Sequence, residues 1–293
     1  MVKIGFIGLG IMGRPIVRNL MKSGYDTVVF DINTEAVNQL ADEGAVAAEG
    51  PKQVAAACDI LFTMLPNSEH VEEVVAAMLT EIRDGSTVVD LSSISPVMSR
   101  KLAMDLAAKS GEFIDAPVSG GEPKAIDGTL SIMAGGSESA FARVKPVIDC
   151  FASSLVLVGP SGAGTTTKLA NQIIVNANIA ALSEAVNLSQ QAGLDIANVF
   201  EAIRGGLAGS AVMEAKVPLL IEQNLKAGGR IDINAKDLTN VVEAGESFGV
   251  PLPLTNQVLD MFTELIEDGH AQLDHAGLIK YYEKHTPGKE ETS

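Results

Sequence analysis

Lys3-Ile4-Gly5-Phe6-Ile7-Gly8-Leu9-Gly10-Ile11-Met12-Gly13 is the stretch that decides the fold. An apolar run ends in G-x-G-x-x-G, after which Met12, Ile16, Val17, Leu20 and Met21 recur at the spacing of an amphipathic helix. The next β-branched run, 27–31, ends in Asp31, about 20 positions beyond the motif. Glycines alone would be a weak signal. Strand, glycine turn, helix and a second strand closing on a carboxylate form the full fingerprint of a dinucleotide site. Gly8 permits the tight turn, Gly10 lets the backbone approach a pyrophosphate, and Gly13 lets helix and strand pack closely. The phosphates are expected on the helix N-terminus, along the backbone of Gly8, Leu9, Gly10, Ile11, Met12 and Gly13, where free N–H groups and the helix dipole favour an anion. Asp31 is expected to accept hydrogen bonds from the ribose hydroxyls and to repel a 2′-phosphate. Ile32 follows it, and no Lys or Arg comes until Lys52. NAD(H) is therefore favoured over NADP(H).

Outward from residue 31, further β-branched runs at 60–65, 87–91, 113–118, 130–134 and 155–158 alternate with helical patterns at 35–43, 68–83, 96–109 and 137–151. Asn33-Thr34, Ser95-Pro96 and Ser137-Glu138 stand as helix starts. Such alternation implies βαβ units and a largely parallel sheet covered on both faces. After Gly159-Pro160-Ser161-Gly162 the strands cease, and long Ala/Leu/Val/Asn-rich stretches follow. The first, about 166–191, has no wide charged face and is expected to be a buried central or subunit-contact helix. The expectation is an α/β Rossmann-type dinucleotide-binding domain over 1–161, joined by this long helix to an all-α substrate and oligomerisation domain over 162–293, with a frayed tail at 286–293.

Composition narrows the partners. Lys and Arg number 21 against 37 Asp and Glu, a formal net charge of −16. A field of that sign repels nucleic acid and anionic membranes, so neither is expected as a partner. No stretch approaches the roughly 20 apolar residues of a membrane span. The apolar run after Lys3 has the look of a signal-peptide core, but glycines interrupt it and no small-residue cleavage site follows. A cytoplasmic protein is expected. Cys58 and Cys150 lie far apart in no metal-like spacing, and the four histidines share none either, so neither a disulfide nor a metal site is expected.

Candidate contacts gather at strand ends, where parallel sheets bind ligands. Met64-Leu65-Pro66-Asn67 and Asp90-Leu91-Ser92-Ser93 read as cofactor contacts, or equally as a turn and a helix-capping serine. Ser119, Gly120 and Gly121, just after the 113–118 run, offer a hydroxyl and N–H groups for a small carboxylate; an ordinary turn with a capping serine reads the same. Lys168 lies in the first turns of the long helix, with Asn171 and Gln172 at i+3 and i+4, so the three polar heads can share one face. A snorkelling surface lysine is the bland alternative, against which stands its position at the interdomain hinge. Lys236-Asp237-Leu238 is a further candidate.

Taken together these motifs resemble the β-hydroxyacid dehydrogenase family over essentially the whole chain. The carriers are residues 5–13, Asp-Ala-Pro-Val-Ser-Gly-Gly (115–121), Gly-Thr-Leu (128–130), Gly-x-Gly-x-x-x-Lys (162–168) with Asn171, and Lys-Asp-Leu (236–238). Segments 120–130, 168–172 and 203–210 look most like the branch that reduces tartronate semialdehyde to D-glycerate. The resemblance implies hydride exchange between a nicotinamide cofactor and a 3-hydroxy acid, with Lys168 as general acid–base. It implies Ser119, Gly120 and Gly121 on the substrate carboxylate, Asn171 and Gln172 lining the pocket, Ser93 and Lys236 on the cofactor, and a homodimer or homotetramer. 3-Hydroxyisobutyrate dehydrogenase and glyoxylate or succinic semialdehyde reductase chemistry stay open, as does a non-catalytic NAD(H)-sensing module. Gly229 precedes Arg230 where relatives often carry an aromatic residue, a departure that touches the substrate rather than the chemistry.

Overall fold

The fingerprint strand sits inside a sheet, paired on both sides, in the computed structural model, which describes residues 2–226 and 228–287. The chain divides into two compact units, Met1–Lys168 and Leu169–Ser293. In chain order the first unit contains β1 (Ile4–Ile7), α1 (Gly13–Lys22), β2 (Thr27–Phe30), α2 (Thr34–Asp42), β3 (Val46–Ala47), α3 (Pro51–Ala57), β4 (Ile60–Thr63), α4 (Ser68–Met78) and β5 (Thr87–Asp90). It continues with α5 (Pro96–Ala107), β6 (Glu112–Asp115), β7 (Val118–Ser119), α6 (Gly121–Asp127), β8 (Leu130–Gly135), α7 (Glu138–Ile148) and β9 (Ala152–Gly159). The strand order is β3-β2-β1-β4-β5-β6-β8-β7, with β9 on β8. From β3 to β6 every pairing is parallel, the doubly wound order of a Rossmann-type sheet.

Strand alternation explains why the sheet is covered twice. Ile4 and Phe6 of β1, Ile60 and Phe62 of β4 and Val89 of β5 enter one core with Ile16, Leu20, Val37, Leu40 and Val144 of the helices. Ile7, Leu61 and Val88 point the other way, onto Val54, Val71, Val75, Leu102 and Leu106. The expected caps form: Asn33, Ser95 and Ser137 accept from the N–H groups of Glu35, Val97 and Ala140. One expected strand is broken. The run 113–118 splits into β6 and β7 around Ala116-Pro117, because Pro117 has no N–H to give a ladder and offers its carbonyl to Met133 instead. The helix expected over 68–83 ends at Met78.

The helix α8 (Ala163–Gln191) runs from the end of the first unit into the second. Beyond it lie α9 (Ile196–Ile203), α10 (Ala211–Ile221), α11 (Ile231–Phe248), α12 (Pro253–Glu267), a 3₁₀ turn (His275–Leu278) and α13 (Ile279–His285). This helical unit packs Ile179, Ile231, Leu238, Val241, Phe262 and Leu278 in one core and Leu182, Val186, Phe200 and Val217 in another. Thr286 is tied down: its hydroxyl donates to Tyr282 O at 2.6 Å and accepts from Asn187 at 2.8 Å. Residues 288–293 of the expected tail lie outside the described residues. Among the described residues no helix is long and apolar enough to cross a membrane, and Cys58 and Cys150 are free thiols.

Candidate active site

The glycine turn is fixed by close approach at two positions. Gly8 takes φ +101°, and a Cβ there would lie 2.2 Å from the Met64 carbonyl oxygen; a Cβ on Gly13 would lie 1.9 Å from that of Gly8. Gly10 is different, since an added Cβ would meet no described atom within 4 Å. The turn is thus closed towards the sheet and open above Gly10. Among the described residues no side chain caps the start of α1, and no acidic residue lies in its first turn. Uncapped N–H groups beside an open glycine backbone are what a pyrophosphate requires, so the residues present fit a dinucleotide. Asp31, just past β2, bridges the elements on either side: Oδ2 accepts from the Leu9 N–H and Oδ1 from the Asn33 N–H at 2.7 Å. Ile32 beside it is 92% exposed.

The carboxyl ends of three neighbouring strands make a polar row. Thr63 pairs with Asp90 and Asp90 with Asp115 in the sheet register, and all three side chains are buried. Asp115 holds the start of α8. Its Oδ1 accepts from the Gly162 N–H (2.7 Å) and its Oδ2 from the Thr165 N–H (2.8 Å) and hydroxyl (2.7 Å), while Thr165 also bonds Ser99 at 2.8 Å. A carboxylate at a helix N-terminus satisfies orphan donors and complements the dipole. Lys168, itself buried, follows Thr165 by three residues on the same helix, so the Asp115 anchor fixes the turn that carries it. Burial raises the Asp115 carboxyl, with these donors opposing the shift.

Asp90 organises the two neighbouring loops. Its Oδ1 accepts from the hydroxyls of Thr63 (2.8 Å) and Ser92 (2.6 Å) and from the Ser92 N–H (3.2 Å). Ser92 in turn accepts from the Leu65 N–H at 2.8 Å, and the Met64 N–H donates to Ile7 O at 2.9 Å. Burial pushes the Asp90 carboxyl up to about 6 against these hydrogen bonds, and the charge of Asp115 adds to the rise. Ser119 ends β7 opposite Ser131, half-buried, and Gly120 and Gly121 turn with φ +136° and +70° into α6. Pro66 and Ser93 belong to the loops that leave β4 and β5.

In the second unit a different set converges. Asn171 donates to Gln172 (3.0 Å) and Gln172 to Asp237 Oδ2 (2.8 Å). Lys236 Nζ stands 3.0 Å from Asp237 Oδ1, a charge contact rather than an aligned hydrogen bond. Three residues singled out from the sequence are thereby joined through a fourth, Asp237, which stands there only as the middle of Lys236-Asp237-Leu238. Asp90 and Asp115 stand in the sequence only inside the motifs 90–93 and 115–121, with no role of their own, and Thr165 has none either. An Asp directly after the apolar pairs Val88-Val89 and Phe113-Ile114 was the available signal, because a buried carboxylate demands partners. Among the described residues no group of three or more His, Cys, Asp or Glu side chains could hold a metal ion.

Comparison with known proteins places this geometry. Residues 3–159 match the family described as the NAD binding domain of 6-phosphogluconate dehydrogenase, and residues 162–282 that described as NAD-binding of NADP-dependent 3-hydroxyisobutyrate dehydrogenase. The chain is 40% identical over 285 residues to 2-hydroxy-3-oxopropionate reductase of Escherichia coli (strain K12), covering 96% of this chain and 97% of that one. It is 39% identical over 293 residues to 2-(hydroxymethyl)glutarate dehydrogenase of Eubacterium barkeri, covering 97% and 96% respectively. The solved structure of Mycobacterium tuberculosis 3-hydroxyisobutyrate dehydrogenase with L-serine matches with a TM-score of 0.92 at 29% identity, over 96% of this chain and 99% of its own.

Proposed function

The chain belongs to the β-hydroxyacid dehydrogenase family, and from that premise we propose that it reduces tartronate semialdehyde (2-hydroxy-3-oxopropanoate) to D-glycerate with NADH. Membership alone makes it an NAD(P)-dependent hydroxyacid dehydrogenase. The observation that carries the reading is the Asp115 anchor. It fixes the first turns of α8, and with them Lys168, to the sheet edge where the glycine turn and Asp31 stand.

In this reading the N–H groups from Gly8 to Gly13 hold the pyrophosphate, and Asp31 accepts from the ribose hydroxyls. Met64, Leu65, Pro66, Ser93 and Lys236 contact the rest of the dinucleotide, which supplies a hydride from nicotinamide C4 when bound. Ser119, Gly120 and Gly121 hold the substrate carboxylate, and Asn171 and Gln172 orient the hydroxy-aldehyde end. Lys168 holds a proton at the aldehyde oxygen and releases it as negative charge develops there; in the oxidation direction it takes that proton back. Support for NADH rather than NADPH is Asp31, whose carboxylate would repel a 2′-phosphate, and the apolar Ile32 after it. Support for this substrate is the 40% identity to the reductase from Escherichia coli. A second reading, a longer dicarboxylic aldehyde acid, is favoured by the nearly equal 39% identity to the glutarate enzyme.

Initial rates of NADH oxidation test the assignment, with tartronate semialdehyde beside 2-formylglutarate, methylmalonate semialdehyde, succinic semialdehyde and glyoxylate, each repeated with NADPH. The expected result is the highest kcat/KM with tartronate semialdehyde and NADH. A higher value with any other acid replaces the substrate, and a preference for NADPH removes Asp31 as the selector. Ser119→Ala is expected to raise KM for the acid about 10-fold or more, the loss of one hydrogen bond to a charged group, with NADH affinity unchanged. An effect confined to NADH affinity would move Ser119 to the cofactor.

A further inference from the structure

The two carboxylates of the polar row are neighbours in register, yet they are used differently. Asp115 gives both oxygens to the start of α8. Asp90 gathers three donors on Oδ1, while among the described residues its Oδ2 is buried without a hydrogen-bond partner. Stability alone does not explain such a group, because an ionisable carboxyl with idle acceptors is costly to bury and an apolar side chain would close the strand as well.

Its effect is local and directional. The Ser92 hydroxyl has a single proton, which it donates to Asp90 at 2.6 Å. With that proton committed, the oxygen presents its lone pairs to the Leu65 N–H at 2.8 Å. Asp90 therefore sets the rotor of Ser92, and Ser92 joins the loop leaving β4 to the loop leaving β5. The residues so joined are flanked by Met64, Pro66 and Ser93.

We propose that Asp90 is a positioning residue for the dinucleotide: acting through the Ser92 hydroxyl, it holds the backbone of Met64, Leu65 and Pro66 against that of Ser93 in the geometry that receives the cofactor. The inference rests on the reading of those loops as cofactor contacts. It assigns Asp90 no contact with substrate or with the transferred hydrogen.

NADH titrations followed by the cofactor's own fluorescence, which no tryptophan of this chain obscures, test it on the full-length protein, alongside melting curves and KM for the aldehyde acid. Ser92→Ala and Asp90→Ala are expected to raise the NADH Kd about 10-fold, the scale of one buried hydrogen-bond link. Asp90→Asn keeps the acceptor for Ser92, and Thr63→Val removes a donor to Asp90 without touching Leu65. Both are expected to stay within about threefold of wild type, whatever happens to Tm. KM for the acid is expected to move less than Kd for NADH in all four. Equal NADH affinity in Ser92→Ala and wild type overturns the proposal, as does a Thr63→Val loss as large as that of Ser92→Ala, which marks a merely structural network. If Asp90→Ala does not fold, Ser92→Ala against Thr63→Val carries the test. A wild-type protein that binds no NADH overturns the cofactor reading itself, an outcome distinct from wild-type binding that Ser92→Ala leaves intact.

Discussion

In the first unit Asp90 and Asp115 are buried with hydroxyl and backbone N–H donors around them; in the second, Asp274 is buried with a lysine. Lys216 Nζ lies 2.9 Å from both oxygens of Asp274, which also accepts from the N–H groups of Gly228 (3.0 Å), Gly229 (2.8 Å) and Ala276 (2.9 Å). Burial pushes the Asp274 carboxyl up, but the N–H groups of Ala276 and Gly229, followed by His275 and Lys216, outweigh it and leave the group below its ordinary value. Asp90 goes the other way, up to about 6. A buried carboxylate given a cation on top of N–H donors stays ionised as a fastener: here it ties the approach to α11 onto the 3₁₀ turn. One with neutral donors and no cation stays costly to ionise, as burial raises both Asp90 and Asp115, and such groups collect where loops must be held for a ligand.

The largest expected effect breaks the fastener. Lys216→Ala leaves an ionised carboxylate buried without its cation, and the helical unit is expected to lose about 3–5 kcal/mol in denaturant unfolding. A loss below about 1 kcal/mol, the value of an exposed pair, would erase the contrast between the units.

The next effect is in pH. His275 is buried beside Asp274, and burial, aided by the charge of Lys216, lowers it from 6.5 to about 4, so it is neutral in the native state at pH 7. A depressed histidine contributes stability that is present above its unfolded value and lost as pH falls through the folded one. The unfolding free energy from urea titrations is therefore expected to drop between pH 6.5 and 4, by up to about 3 kcal/mol from this group, and to drop less in His275→Asn. Parallel slopes in the two proteins would contradict the assignment.

Asp90 should show the opposite sign at smaller amplitude. Its folded value, about 6, lies above the ordinary 3.8, so its contribution is fully present below 3.8 and is lost as pH rises through 6. Asp90→Asn cannot ionise. Its stability relative to wild type is expected to improve by about 2 kcal/mol between pH 4 and 7. No change with pH would mean that Asp90 is solvated or paired more fully than its surroundings indicate.

How much of this was legible in the sequence depended on the range of the interaction. The glycine turn, the capping residues Asn33, Ser95 and Ser137, and the alternating faces of β1, β4 and β5 are set by sterics and period within a few residues, and they read directly. β3, two residues long, is too short to show a period, and the break at Pro117 was visible only as a proline inside an apolar run. The polar contacts were hidden by distance along the chain. Asp115 meets Gly162 and Thr165 some 50 residues on, Gln172 meets Asp237 65 residues on, and Lys216 meets Asp274 58 residues on. A sequence shows that such a carboxylate needs a partner but not which one it finds.

The central claim is that Lys168, on the turn fixed by Asp115, moves the proton. Single-turnover hydride transfer and NADH affinity in Lys168→Ala test it most directly. The expected result is a rate lowered by about 10²–10⁴ with NADH bound as tightly as in wild type. A rate within a few-fold of wild type would remove Lys168 from the chemistry, and loss of NADH binding at an unchanged rate would make it a cofactor residue instead.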